Sequence, residues 1–438
     1  MEREMRKVLV VANLADSFPR ITNIAYHLPE CGWQPYLLTP LLRQDAKARF
    51  NLPDDFFRRV RLLEVPVDSD IFYFYRRIFY SLGIKKNRSI SDQLKSGVGA
   101  GRSSGIVDFF LQAYQAVAGF PDTQHMWIGP ALKMAAGFAE EKFDLILSSH
   151  PHASVNVIAS KLQKRFNIPW VADFRDLWSQ NHNYLMPSWR RWVDRLYEKK
   201  TLCNAAAVVT VSDGFARKQQ QFLGREILVI TNGFGRDTIT DGSVVPTRKF
   251  TVTYCGTLYP KVQNPLKFFK PLCELVSSGE ICKSDLDIRF IGTDSSFLEK
   301  IAEDCGVSSA VTFIPRLPRA ELFVKQRESQ VLLMFNWEDP DSPGVYALKL
   351  FEYLAAKRPI LATGGYPEDD VSGIIAKADA GVFAPSHNSV KDSLRAMYIQ
   401  YKRDGAVSYS GIDEEIRRYS YDKLAAQYGS LFENVLKA

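Results

Sequence analysis

The chain has 438 residues, of which 46% are apolar and 24% charged, with a formal net charge of +7. That length favours two domains of about 200 residues each, and no stretch approaches the roughly 20 apolar residues that span a bilayer. The mild basic excess permits an anionic partner without selecting one, and six cysteines without a CxxC are expected as buried thiols rather than as disulfides or a zinc site.

The N-terminus, "MEREMRKVLVVANL", enters a strand directly and lacks a signal-peptide pattern, so a cytoplasmic location is expected. Apolar runs rich in Val, Ile and Leu follow at regular intervals. In the first half these are "KVLVVANL" (7–14), "PYLLTP" (35–40), "RLLEVPV" (61–67), "FDLILSS" (143–149), "PWVADF" (169–174), "AAAVVTVS" (205–212) and "ILVITNG" (227–233). In the second half come "FTVTYCGTL" (250–258), "LDIRFIGT" (286–293), "AVTFIPRL" (310–317), "VLLMFNW" (331–337), "PILATGG" (359–365) and "AGVFAP" (380–385). Continuous apolar strands alternating with helices predict buried parallel sheets built from βαβ units. The fold class is therefore α/β, with two Rossmann-like doubly wound domains facing a cleft at the carboxyl ends of their strands.

The polar stretch 235–249 reads as the linker. It gives an N-terminal domain over 1–235 and a C-terminal domain over 236–412. The segment 413–438 reads as helix returning to the first domain. Residues 71–89 interrupt the alternation with six aromatics and five basic residues and no acid. They fit either a packed helical insertion or a face resting on a membrane surface. The stretch "SGVGAGRSSG" (96–105) follows no strand and is read as a mobile loop.

Cofactor motifs are missing. The turn after the first strand, "VANLADSFPRITN", has no glycine, and neither a P-loop nor a GxSxG elbow occurs. The stretch "GVYALKLFEYLAAKRPILATGG" (344–365) suggests a different use of such domains. A helix N-terminus suits a diphosphate, with amides from Gly344, Val345 and Tyr346 and a cation from Lys349. Glu352, three residues on, shares that face and suits the hydroxyls of a ribose. The bland alternative is a surface ion pair worth a few tenths of a kcal/mol. Aspartates alternate in "ADFRDLW", where Arg175 suits a bidentate pair with Asp173 or Asp176. Two DxD patterns, "DSD" at 68–70 and "DLD" at 285–287, are the candidates for a divalent metal, and no nucleic-acid-binding pattern appears.

"ALKLFEYLAAKRPILA" resembles the signature helix and strand of GT-B glycosyltransferases of the family-4 type, the bacterial polysaccharide enzymes above all. The resemblance extends in order through "FPDTQHMWIGPAL" (120–132), "FDLILSSHPHAS" (143–154), "IPWVADFRDLWSQN" (168–181), "VVTVSDGFARKQ" (208–219), "VITNGF" (229–234), "TYCGTLYPKVQNP" (253–265) and "FIPRLPRAELF" (313–323), leaving out 68–118. It implies that Gly256, Thr257, Lys261, Arg316, Leu317, Gly344, Val345, Tyr346, Lys349 and Glu352 bind the donor nucleotide. His150, with Asp173 and Asp176, would be catalytic. Asp122, Arg175 and His152 would lie on the acceptor side. The family's first glutamate, eight positions before Glu352, is Gly344 here, so contact with the donor sugar would come from Glu338, Asp339 or Asp341, or from backbone amides.

By that resemblance the protein is a retaining, metal-independent hexosyltransferase. It would use a nucleotide-diphosphate sugar of UDP, GDP or dTDP type, with no cofactor and no metal. The acceptor would be a saccharide, lipid-linked, in surface polysaccharide synthesis. Location would be cytoplasmic and peripheral on the inner face of the plasma membrane, with 71–89 as the candidate contact and no nucleic-acid partner. The rival readings are a sugar-nucleotide epimerase on the same fold and a non-catalytic partner subunit that lost the sugar site.

Overall fold

The computed structural model describes residues 5–14, 19–42, 52–66, 117, 119–184, 186–235, 244–339, 342, 344–366 and 368–437. The aromatic and basic stretch 71–89, the glycine-rich stretch 96–105, the "DSD" at 68–70 and Asp341 lie outside the described residues. The chain forms two compact units. One runs to Asn232 and resumes at Tyr421; the other runs from Gly233 to Ser420.

The first unit is a parallel sheet of seven strands: β1 (Arg6–Ala12), β2 (Trp33–Pro40), β3 (Arg61–Val65), β4 (Leu145–His150), β5 (Trp170–Phe174), β6 (Ala207–Thr210) and β7 (Leu228–Val229). Their spatial order is β3-β2-β1-β4-β5-β6-β7, so the chain reverses direction across the sheet between β1 and β4. Side chains alternate along each strand. In β1, Leu9 and Val11 enter the core on one face, while Val8, Val10 and Ala12 enter that on the other. Helices cover both faces, which is why the strands read as unbroken apolar runs. Those used below are α1 (Arg20–His27), α2 (Ile128–Ala136), α3 (Ala153–Phe166), α4 (Ser188–Leu202) and α5 (Asp213–Leu223).

The second unit repeats the plan with six parallel strands: β8 (Phe250–Cys255), β9 (Leu286–Ile291), β10 (Val311–Ile314), β11 (Val331–Phe335), β12 (Ile360–Thr363) and β13 (Gly381–Ala384). The order is β10-β9-β8-β11-β12-β13, which puts the reversal between β8 and β11. Its helices include α6 (Leu266–Ser277), α7 (Ser296–Asp304), α8 (Arg319–Arg327), α9 (Lys349–Ala356), α10 (Asp370–Ala378), α11 (His387–Asp404) and α12 (Asp413–Arg417). The last helix, α13 (Tyr421–Lys437), belongs to the first unit. The C-terminal segment read as one returning piece from 413 thus divides. Ile416 of α12 is buried in the second core, whereas Tyr421, Leu424, Tyr428 and Phe432 of α13 are buried in the first.

Cysteine usage differs from expectation. Cys273 on α6 and the residue closing α7, Cys305, form a disulfide, with Cα atoms 5.4 Å apart. The two helices pack side by side over the same core, which brings these residues within bridging range. The remaining cysteines, Cys31, Cys203, Cys255 and Cys282, are free thiols.

A buried charge cluster holds the first unit together. Arg20, at the start of α1, places Nη2 3.1 Å from Asp173 Oδ1 and Nε 3.3 Å from Oδ2, both residues being shut off from water. Its remaining donors reach the carbonyls of Ile230 and Thr231, and the Tyr428 hydroxyl at 2.9 Å. Tyr428 in turn donates to Asp173 Oδ1 at 2.7 Å, and Ser149 donates to Oδ2 at 3.0 Å. A buried ion pair tolerates desolvation only when its other donors and lone pairs are also satisfied, and here they are. Removing one partner strands the other charge. Arg20→Met is therefore expected to destabilise the protein by about 3–5 kcal/mol, and Arg20→Met combined with Asp173→Leu to recover most of that loss. Urea unfolding of the single and double variants checks it; additive losses would show that the pair does not act as a unit.

Candidate functional site

In the second unit every crossover is parallel, so the loops after β8, β9, β10, β11 and β12 lie along one edge of the sheet. Glycines shape that edge. Gly256, Gly292, Gly364 and Gly365 have φ values of 91°, 72°, 78° and 74°, which side-chain-bearing residues rarely adopt. Gly256 does not present its amide outward as expected. That N–H donates to Ile291 O at 2.7 Å, and its carbonyl accepts from Thr293 Oγ1 at 2.6 Å. Its contribution is space: a Cβ there would sit 3.6 Å from the ammonium of Lys349. Thr257 is held by its carbonyl, which accepts from the Tyr254 hydroxyl at 2.8 Å.

Lys349 is the central observation. Helix α9 begins at this residue, not immediately after Gly344, and an earlier turn leads in through Ala347 and Leu348. Gly344 has φ 82° and heads an irregular lead-in with Val345 and Tyr346, whose ring centre lies 5.7 Å from that of Phe351. A left-handed glycine breaks the helical repeat there. The Lys349 Nζ is buried, has no hydrogen-bond partner, and lies 3.8 Å from the centre of the Tyr254 ring. Burial pushes this lysine down to about 7, against weaker upward pulls from Cys255 and Glu352. A ring face compensates a desolvated cation only partly, by about 2 kcal/mol, so the ammonium is left short of an anion.

Glu352 does not neutralise it through a hydrogen bond. Its carboxylate pairs with Arg319 of α8 at 3.2 Å, and Arg319 also lies over Phe323. The bland i,i+3 ion pair is thus not what this helix carries. Arg316 is exposed beside Gly292, where a Cβ would meet the Arg316 backbone at 3.7 Å, and Leu317 packs against the core under α9. Lys261 is exposed on the loop after β8. Of the sugar-side candidates, Glu338 pairs with Lys267 at 3.0 Å and lies against Gly364, and Asp339 accepts from Ser342 Oγ at 2.8 Å. Beside them Asn336 donates to Asp369 at 3.2 Å, and Asp369 caps α10 through Ser372 N. "PILATGG" carried the signal for this corner in its two glycines, which the strand reading absorbed.

The first unit collects the acceptor-side candidates around the ends of β4 and β5. His150 is buried, with its ring 4.9 Å from Phe174 and 6.3 Å from Trp178. Burial, then the nearby His152 and Arg175, hold it well below the ordinary histidine range, so it is neutral. His152 occupies the N-cap position of α3. Asp122 supplies the cap itself, accepting from Ser154 N at 2.5 Å and from Gln124 N at 2.7 Å. Asp173 faces Arg20 rather than Arg175, and both its oxygens are engaged, so its geometry is that of a brace. The sequence reading missed Arg20 because the pair spans 153 residues. Arg175 and Asp176 are half-buried on the following loop.

The inner face of α4 pins that loop. Arg190 Nε reaches Asp194 at 3.0 Å, and its Nη2 donates to Pro121 O at 2.9 Å. Tyr184 donates to Asp194 at 2.6 Å. Glu198 accepts from Ser179 N at 3.0 Å and Ser179 Oγ at 2.5 Å. Among the described residues no group of three or more His, Cys, Asp or Glu is placed to hold a metal. The "DLD" residues are committed elsewhere: Asp285 accepts from Tyr398 and Asp287 pairs with Arg289.

A family described as glycosyl transferase 4-like domain matches residues 97–233. That family match is confined to residues 97–233, and the fold of the chain is that of GT-B glycosyltransferases. That match begins inside 68–118, the stretch the sequence motifs left out. The chain is also similar in structure to the sucrose-phosphate synthase of Thermosynechococcus elongatus, with a TM-score of 0.60, 13% identity and 99% of each chain covered. For HepE of Anabaena, solved with UDP and glucose, the TM-score is 0.61 at 12% identity, covering 98% of this chain and 100% of that one. A glycosyltransferase from Rickettsia africae gives 0.59 at 13%, covering 99% and 100%. At such identities these likenesses show the fold. No curated protein matches the sequence. The resemblance to family-4-type GT-B proteins read from the motifs is borne out.

Two pH effects follow from the buried ionisable groups. Lys349 titrates lower folded than unfolded, so the unfolded chain binds more protons between pH 7 and about 10.4, and stability rises with pH across that window. Lys349→Met is expected to abolish that slope and to raise the urea midpoint at pH 7. Glu198 shows the opposite sign, since burial pushes it up to about 7. Its stabilising share is present below pH 4.5 and is lost as pH rises through 7. Glu198→Gln is then expected to match wild type at pH 4 and exceed it by about 3 kcal/mol at most at pH 8. Urea melts of wild type and Glu198→Gln at the two pH values, and of wild type and Lys349→Met at pH 7 and 9.5, decide the two expectations.

Proposed function

We propose that the protein is a retaining glycosyltransferase that moves a sugar from a nucleotide-diphosphate sugar to a hydroxyl of a saccharide acceptor, lipid-linked, in surface polysaccharide synthesis. The observation that carries this reading is the buried, unpartnered Lys349 ammonium at the N-terminus of α9, beside Gly256 and at the strand reversal between β8 and β11. A phosphate oxygen at that point would accept from the ammonium and meet the positive end of the helix dipole. The leaving diphosphate gains charge as the glycosidic bond breaks, and a preorganised cation stabilises that change without a metal.

The remaining assignments follow the edge of the sheet. Glu352, held by Arg319, orients the ribose. Arg316 and Leu317 pass the base, while Lys261, Thr257 and the lead-in Gly344–Tyr346 line the approach. Glu338 and Asp339 are the sugar-side groups, both already anchored. In the first unit the group assigned to the reaction is His150, whose neutral ring keeps a lone pair for a sugar hydroxyl. Asp176 and Arg175 are assigned to the acceptor. No cofactor enters the scheme.

A thermal-shift panel of UDP, GDP, dTDP, CDP and ADP without metal tests the site. A ligand at 100 times its dissociation constant stabilises by ~2.7 kcal/mol, a shift of a few degrees. One diphosphate is expected to shift the wild type, with the shift lost in Glu352→Ala and Lys349→Met and unchanged by a chelator. No shift with any nucleotide would overturn the donor-site assignment. Affinity for a nucleotide sugar, whose diphosphate stays ionised throughout, is expected to fall as pH rises above 7, where free Lys349 loses its proton. Donor consumption that requires an added acceptor supports transfer; nucleotide release without acceptor favours the epimerase, and binding without turnover the non-catalytic reading.

A further inference from the structure

The glycosyl transferase 4-like unit carries a surface that the site does not use. Helix α4 has two opposed characters. Its inner face is polar and fully engaged, with Arg190, Asp194 and Glu198 buried in the network described above. Its outer face carries Trp189, Trp192 and Leu196, which are 50%, 63% and 52% exposed. At positions i, i+3 and i+7 they form one stripe along the helix. Isolated exposed apolar residues are ordinary; a contiguous stripe with two tryptophans marks a contact surface.

The charges are sorted in the same way. Arg191, Arg195 and Lys199, spaced by four, form an exposed row beside the stripe, and exposed Lys200 flanks its other side. Both acids of the helix, Asp194 and Glu198, are on the buried face. The basic side chains lie flat: Arg191 sits over Tyr184 at 4.6 Å, and Arg195 and Lys199 lie over Phe222 of α5 at 4.5 and 4.9 Å. Their heads therefore border the stripe instead of covering it, the arrangement by which long cationic side chains keep to an interface.

We infer that the outer face of α4 docks on an anionic lipid bilayer, with Trp189, Trp192 and Leu196 entering the headgroup region and the four basic residues meeting lipid phosphates. Tryptophan favours that boundary, and basic residues are drawn to an anionic leaflet. No described helix is long and apolar enough to cross a membrane, so the contact is superficial. A second copy of this chain fits worse, because a two-fold contact sets the cationic row against itself. Single-stranded nucleic acid would use the basic row, but Leu196, one turn beyond Trp192, prolongs the stripe as an aliphatic contact that offers no base a stacking platform. The inference does not depend on the transferase reading, because binding is measured without substrate.

The test is flotation of the full chain with vesicles of phosphatidylcholine and phosphatidylglycerol, and with phosphatidylcholine alone, at low salt. Wild type is expected to float with the anionic vesicles only, with a blue shift of tryptophan emission. Trp189→Ser combined with Trp192→Ser is expected to lose the blue shift and most of the binding. Arg191→Gln combined with Lys200→Gln is expected to weaken it roughly 25-fold, about fivefold per charge. All four positions are exposed, and unchanged melting curves confirm that the variants fold. Absence of wild-type flotation overturns the inference, as does equal flotation of wild type and both variants. Self-association without lipid that Trp192→Ser abolishes, or RNA binding without flotation, reassigns the face and overturns it too.

Discussion

A guanidinium and a carboxylate, both removed from water, join four parts of the first unit that are far apart in sequence. Arg20 begins α1, Asp173 ends β5, the carbonyls of Ile230 and Thr231 follow β7, and Tyr428 comes from α13. Each group in the cluster would be costly to bury alone. Together they form a closed network in which the strand end carrying Asp173 has one favourable position. The loop that follows, with Arg175, Asp176 and Trp178, inherits that position, and α4 fixes its far side through Ser179 and Tyr184. The acceptor-side candidates are held between two polar clusters rather than by apolar packing alone.

The second unit treats its buried cation in the opposite way. Arg20 has a partner for nearly every donor, whereas the Lys349 ammonium has only the face of Tyr254. One cation is structural and the other is kept in reserve. Residues around Lys349 are committed so that they leave it alone: Glu352 to Arg319, the Gly256 amide to Ile291, and the Tyr254 hydroxyl to Thr257. Perturbed, uncompensated lysines concentrate at functional positions, and that is the ground on which Lys349 is proposed for the donor diphosphate.

The fold was legible because its strands are buried on both faces. Runs such as "VLLMF" become β11, with Val331, Leu333 and Phe335 in one core and Leu332 and Met334 in the other. Such runs need no alternation to be recognised, and even the two-residue β7 announced itself as "ILVITNG". Lys349 and Glu352 were legible as a charge pair in an apolar helix, but their partners were not. Tyr254 and Arg319 come from other elements, and nothing local in sequence connects them. The same holds for Arg20 with Asp173 and for Cys273 with Cys305, whose proximity is a product of packing. The helix start was misplaced because Gly344, Val345 and Tyr346 were read as its first amides, whereas Gly344 is left-handed and the helix begins at Lys349.

Helix α13 sets an order of assembly. Tyr421, Leu424, Tyr428 and Phe432 fill the first unit's core, and Gly429 lets the helix approach Cys31 so closely that a Cβ there would meet the Cys31 side chain at 2.9 Å. On the ribosome, β1 to β7 emerge early with that face uncovered and the Arg20–Asp173 cluster short of its tyrosine. All of the second unit, up to Ser420, must be synthesised before the covering helix arrives. The unit made first is completed last, and in the interval its exposed apolar groove is the surface on which a chaperone would act.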